Sequence, residues 1–411
     1  MFFAQWFTDS VLRFNMLDRR RNTSNHDIDL CEIYGLTEEA ANLLRTHKHG
    51  KLRSQFINGE EYLEYLCEDQ GGEVKVRSNF EKLLGSNSFT ADQVVDKILA
   101  PNFQDRKAKL YATGLERGNN TIGYVAITTI FMREHNRLAT ELEKNNPTWS
   151  DERIFQTARN INIVILLKLI VEDYINHIVG HPFFKLDYDF AEDEHWYRPN
   201  WMALEFDLLY RWHGLAPDSI KIGGKPVKST EFRYNNALLE KVGIGALIDT
   251  VSRQPAGRIG LANTPDYLWN AESIAIKMSR HFRVRPYNDY RERFGLSRLG
   301  DFSELTKDTN LQKTLERLYG TIDRLEFLVG LFGEDATDGS LFGELLNQMV
   351  AYDAFTQIFT NPLLSRNVYG PATFTDYGID QIDKTTSIEN LVNRNVSQPV
   401  RATLGVLPGT A

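Results

Sequence analysis

Apolar residues recur at helical spacing along nearly the whole chain. The pattern predicts helices over Thr37–His47, Gly123–Lys144, Asp151–Val179, Ala203–Trp212, Asn263–Met278, Leu311–Gly330 and Leu341–Phe359. Alternating strand patterns are scarce, and Ile220–Val227 with its Gly223-Gly224 pair is the best hairpin candidate. The most apolar run, Ile161 to Val171, is interrupted by Lys168 and is too short to span a bilayer. Its flanks read as one long buried helix. Ser150 is a suitable N-cap, Asp151 and Glu152 suit the first turn, and Gly180 suits a left-handed stop. Loops are marked by Asp69–Gly72, Lys144–Pro147 and Gly333–Gly339. With no repeat and no long linker, the expectation is a mainly α fold forming a single domain over residues 1–411.

Composition narrows the function without naming it. The 411 residues carry 47 Lys+Arg against 55 Asp+Glu, a net charge of -8, with 42% hydrophobic residues. A mildly acidic chain without a basic block does not point to a nucleic-acid partner. Cys31 and Cys67 are the only cysteines, so neither a disulfide scaffold nor a four-cysteine zinc site is available, although one bridge between them stays open. Met1–Ala4 is apolar, but no charged stretch precedes it and Asp9 soon interrupts it. No secretory signal is read there, and the expected location is the cytoplasm. On that basis the sequons at Asn22, Asn119 and Asn395 read as chance matches. Zinc-protease histidine pairs, phosphate loops and the Gly-x-Ser-x-Gly elbow are all absent from the sequence.

Two clusters remain. In Glu205-Phe206-Asp207-Leu208-Leu209-Tyr210-Arg211-Trp212-His213, Tyr210 and His213 stand at i and i+3. On a helix that spacing puts their Cβ atoms ~5–6 Å apart on one face. A buried imidazole among aromatics suits an axial haem ligand, and equally a satisfied core histidine. The second cluster is Gln5-Trp6-Phe7-Thr8-Asp9, where Gln5 and Asp9 share a face if the segment is helical. An amide beside a carboxylate suits a small polar ligand such as peroxide. A frayed terminal segment with ordinary polar residues fits the same pattern.

The chain resembles the haem peroxidase–cyclooxygenase superfamily over almost its full length. Phe3-Ala4-Gln5-Trp6-Phe7-Thr8 looks like the start of the distal haem helix, and Met132-Arg133-Glu134-His135-Asn136-Arg137 like the superfamily's Arg-Glu-His-Asn-Arg signature. Trp149–Phe155, Val171–Tyr174, Arg285–Gly295 and Leu341–Glu344 continue the likeness, and Glu205–Pro217 resembles the proximal helix. The resemblance implies a b-type haem whose iron is held by His213, with Gln5, Thr8 and Trp212 against the group. It further implies that Tyr210 is a radical-forming tyrosine acting on an unsaturated fatty acid, with oxygen and peroxide as co-substrates. His135 would be structural. A homodimer is expected from the family.

The sequence departs from the family pattern in three places. Asp9 stands where the distal histidine falls, and an exposed carboxylate with pKa ~3.9 is a poor base at neutral pH. Burial beside the haem would raise that value. The epidermal-growth-factor-like module, the membrane-binding helices and the carboxylate-pairing arginine of cyclooxygenases have no counterpart in the sequence, so no membrane-binding segment is expected. Along the substrate channel, Asn347, Val350 and Ala354 replace a small aliphatic residue, a glycine and the serine that aspirin acetylates. A bulkier Val350 argues for a straighter channel and simple hydroperoxide formation. The alternatives are a haem peroxidase oxidising small donors, in which Tyr210 is dispensable, and a non-catalytic haem-binding protein.

Overall fold

The computed structural model describes residues 1–13, 18, 23–25, 27–84, 89–99, 101–189, 191–197 and 202–405. The sequon at Asn22 lies outside the described residues. Helices dominate, and the described strands form three separate antiparallel hairpins. One is the expected Ser219–Ile222/Lys225–Lys228 pair, turned by Gly223 and Gly224 at positive φ. The hairpins Ser54–Ile57/Glu60–Leu63 and Cys67–Asp69/Val74–Val76 were not expected, because strands of three or four residues leave little alternation to read.

Two long helices, Ile122–Asn145 and Asp151–Leu169, pack together at the centre, and Pro371–Asp383 packs on the second. The Ser150 hydroxyl accepts from the Arg153 amide, as its capping chemistry requires. The helix then widens into a π turn at Ile170–Ile175, continues over Asn176–Val179, and stops at Gly180 with φ 77°. The span Asp151–Val179 is long and apolar enough to cross a membrane, but 83% of its most apolar window is buried inside the protein. That is the burial of a core helix.

The Arg-Glu-His-Asn-Arg segment ties the core together. Glu134 is fully buried and accepts from Arg137, Arg394 and Asn395. His135 bridges the Tyr34 hydroxyl at 2.8 Å and the Gly50 carbonyl at 2.9 Å, and burial lowers its pKa to about 3. A neutral imidazole held at both nitrogens is a structural strut. Both cysteines are buried free thiols.

Two expected helices are broken where the apolar pattern runs on, and those expected over Thr37–His47, Asn263–Met278 and Leu341–Phe359 start late, at Glu38, Trp269 and Glu344. Leu311–Gly330 divides into Thr309–Tyr319, a 3-10 turn at Ile322–Arg324 and Phe327–Gly333, because Gly320 takes φ 77°. Ala203–Trp212 ends as Leu204–Leu209, with Tyr210 as its C-cap and His213 opening a separate 3-10 turn. Tyr210 and His213 therefore do not share a helical face.

Candidate active site

The helix Phe2–Val11 is buried on most of its circumference. Trp6 stacks on Phe131 at 5.0 Å and donates to the Thr128 hydroxyl at 3.0 Å, while the Phe2 ring lies over Gly123. The partly exposed positions are Met1, Gln5, Thr8 and Asp9, one stripe at helical spacing. Gln5 and Asp9 thus do share a face, and it is the face left open. Gln5 Oε1 accepts from Thr121 at 3.3 Å, and the Thr8 hydroxyl donates to the Ala4 carbonyl.

Asp9 has a partner that lies far away in sequence. Arg117 Nη1 approaches Asp9 Oδ1 at 3.2 Å. Burial raises the Asp9 pKa, and the Arg117 guanidinium opposes that shift by charge and hydrogen bond. Burial also raises the Asp207 pKa, opposed chiefly by the Arg211 guanidinium and more weakly by Arg117. Asp207 in turn accepts from Arg211 at 2.6 Å.

Tyr210 is buried at 3% exposure, and its hydroxyl donates to the Tyr174 hydroxyl at 3.1 Å. Trp212 stacks on it at 4.1 Å, and Phe7 from the Gln5 helix meets it edge-on at 6.1 Å. Burial pushes both tyrosine pKa values up, so both phenols are neutral at physiological pH. Tyr174 and Trp212 line one wall of an apolar cavity of about 710 Å³, within the size range of small-molecule sites. Phe3, Ala4, Ile178 and Leu341 also face it, whereas Tyr210 stands one side chain behind.

His213 is 18% exposed at its side chain, and its Nδ1 lies 2.5 Å from Oε2 of Glu272. Among the described residues no hydrogen bond reaches its Nε2. Asn347, Val350 and Ala354 do not line the cavity. Asn347 bonds instead to Ser340, Thr337 and the Phe342 carbonyl, while Val350 is buried and Ala354 partly buried in the core.

The sequence pattern of the animal haem peroxidases matches residues 13–404. The chain belongs to the animal haem peroxidase family. It is 36% identical over 402 residues to prostaglandin G/H synthase 1 of Rattus norvegicus, and 32% identical over 402 residues to prostaglandin G/H synthase 2 of Equus caballus. In both cases 96% of this chain aligns, and it spans 62% of the relative's length. Peroxidase A from Dictyostelium discoideum has the same fold, with TM-score 0.72 at 20% identity over 93% of this chain and 71% of that one. So does the fatty acid alpha-dioxygenase of Oryza sativa, with TM-score 0.70 at 18% identity over 91% and 64%.

The family's cofactor is haem, and the residues fit it. The Glu272 contact occupies one nitrogen of His213 and leaves the other without a hydrogen bond among the described residues, as an iron ligand would require. Two residues earlier, Arg211 keeps a buried Nε without a hydrogen-bond partner beside its ion pair with Asp207. Gln5, Thr8 and Asp9 are the polar groups on the open face of the helix Phe2–Val11. Sequence reasoning singled out Gln5, Asp9, Tyr210 and His213 and did not point to Arg117, Tyr174 and Glu272 as their partners. The two most distant sit 108 and 59 residues from the groups they touch.

Proposed function

We propose that this chain is a haem-dependent oxidoreductase that oxygenates an unsaturated fatty acid to a hydroperoxide through a radical on Tyr210. The observation that carries the reading is the buried Tyr210 hydroxyl. It bonds to Tyr174 at the wall of an apolar cavity, three residues before the free-sided His213.

Bound haem supplies an iron that takes up the oxidising equivalents of a peroxide. Gln5 orients the peroxide by its amide, Asp9 accepts the peroxide proton, and Arg117 steadies the negative charge that forms as the O–O bond breaks. Tyr210 gives up one electron and releases its phenolic proton to water, and the neutral Tyr174 hydroxyl turns to donate a hydrogen bond to the radical oxygen. The tyrosyl radical then takes a hydrogen atom from a doubly allylic carbon, which restores the phenol. Oxygen adds to the carbon radical, and a hydrogen atom from Tyr210 completes the hydroperoxide and regenerates the radical. The apolar walls bind the acyl chain by burial and keep water from the radical.

A second reading, peroxidase turnover of small donors, is favoured by one observation. Tyr174 and Trp212, rather than Tyr210 itself, form the cavity wall. Tyr210→Phe separates the two. With haem-loaded protein, the dioxygenase reading expects oxygen uptake on linoleate to vanish while oxidation of a small phenol by peroxide persists. Uptake that survives in Tyr210→Phe overturns the radical role. The preceding check is a haem titration by Soret absorbance, expected to saturate for the parent and to fail for His213→Ala.

A further inference from the structure

The contact on the far side of His213 is built, not incidental. Glu272 stands in the first turn of the helix Trp269–His281, which is anchored by buried Ala275, Met278 and Ser279. The loop before that helix is laced onto the His213 turn. Gly257 N–H donates to the Leu215 carbonyl at 2.9 Å, and Asn263 Nδ2 donates to the carbonyls of Gly214 at 3.2 Å and Arg258 at 2.6 Å. The backbones approach so closely that a Cβ on Gly257 would stand 2.1 Å from the Gly214 oxygen. This fixes the distance between the helix carrying Glu272 and the turn carrying His213. Both side chains are mostly buried, at 18% and 25% exposure, and neither has another hydrogen-bond partner among the described residues.

We propose that Glu272 is the positioning carboxylate of the haem's histidine ligand. It holds the ring through the Nδ1 proton and gives the imidazole partial imidazolate character. The proposal rests on the reading of His213 as the iron ligand. A carboxylate that draws the Nδ1 proton toward itself makes Nε2 a stronger donor to iron. A stronger donor stabilises ferric and more highly oxidised iron over ferrous iron, the direction required of a group that accepts the oxidising equivalents of peroxide. Glu272 touches neither peroxide nor fatty acid. It acts only through His213.

The test uses the full chain loaded with ferric haem, comparing the parent with Glu272→Gln, Glu272→Asp and His213→Ala. The readouts are Soret titration, the iron–histidine stretching frequency of the ferrous form by resonance Raman, and the ferric/ferrous midpoint potential. For Glu272→Gln we expect a lower stretching frequency, a more positive midpoint potential and haem affinity reduced ~10–100-fold. Glu272→Asp keeps the charge on a shorter arm and moves both spectroscopic values part-way, which covers a failure of the amide variant to fold. A merely structural Glu272 would lower the melting temperature of the haem-free protein and leave the frequency and potential where they were. That result, with Soret binding still dependent on His213, overturns the proposal. Should His213→Ala bind haem as tightly as the parent, the reading beneath the proposal fails, and the proposal with it.

Discussion

Asp9 is where a residue type and its surroundings pull in different directions. A carboxylate in water is mostly ionised and weakly basic at neutral pH. Burial raises the Asp9 pKa and makes it a better base, while Arg117 restrains the rise. The rate of peroxide reaction with the haem-loaded protein is therefore expected to climb with pH as Asp9 loses its proton. Arg117→Leu removes the restraint, so the acid limb of that profile moves to higher pH. Stopped-flow measurement between pH 4 and pH 8 checks both, and a limb that stays in place in Arg117→Leu assigns it to another group. Asp9→His should raise the rate at neutral pH, because an imidazole titrates near ~6.5. At this scale the sequence was legible for Gln5 and Asp9, which share the face their spacing predicts, whereas Tyr210 and His213 were singled out together but do not share one. Arg117 and Glu272 were hidden because nothing local marks an arginine in a loop or a glutamate on a helix as the partner of a distant side chain.

The helix break after Leu209 shows where periodicity misleads. The run Leu208 to His213 contains no proline or glycine, and its apolar spacing reads as helix. Yet Tyr210 and Trp212 stack at 4.1 Å, a contact that i and i+2 positions cannot make on one helix because they do not face each other. Burying both rings requires leaving the helix at Tyr210, so the packing overrides the local preference. The π turn that carries Tyr174 is equally silent in sequence. The Phe2–Val11 helix makes the complementary case, since its burial on several sides depends on a close approach that can be probed. A Cβ on Gly123 would stand 2.2 Å from the Phe2 ring. Gly123→Ala is expected to cost about 1–3 kcal/mol by overpacking, and also to weaken haem binding by displacing the Gln5 wall. Ser150→Ala removes a cap far from that wall and should cost ~1 kcal/mol with haem affinity unchanged. Urea unfolding and Soret titration of the two variants separate general stability from the position of the wall; equal losses of affinity would refute the role given to the Phe2–Gly123 contact.

The mainly α architecture was readable because long amphipathic stretches dominate the chain, whereas the way distant helices press charges together was not. Asp353 is the clearest instance. It lies on the helix Glu344–Phe359, which packs on Leu204–Leu209, the helix that ends at Tyr210. It is 7% exposed, and its pKa is raised to about 7, first by burial and then by the negative charge of Glu205. In the unfolded chain the same group titrates near ~3.9. Between these values the native state holds a proton that the unfolded state has released, so stability falls as pH rises through this window. The contribution is fully present below about pH 4 and lost above about pH 7. The whole-molecule expectation is a protein less stable at pH 8 than at pH 5 by an Asp353 share on the order of a few kcal/mol. Asp353→Asn removes the titration, so the variant should gain on the parent at pH 8 and match it more nearly at pH 5. The difference between the two chains in urea unfolding at each pH isolates the group from every other carboxylate. If that difference does not grow with pH, Asp353 ionises without penalty, and the contact between these two helices tolerates a second negative charge near Glu205.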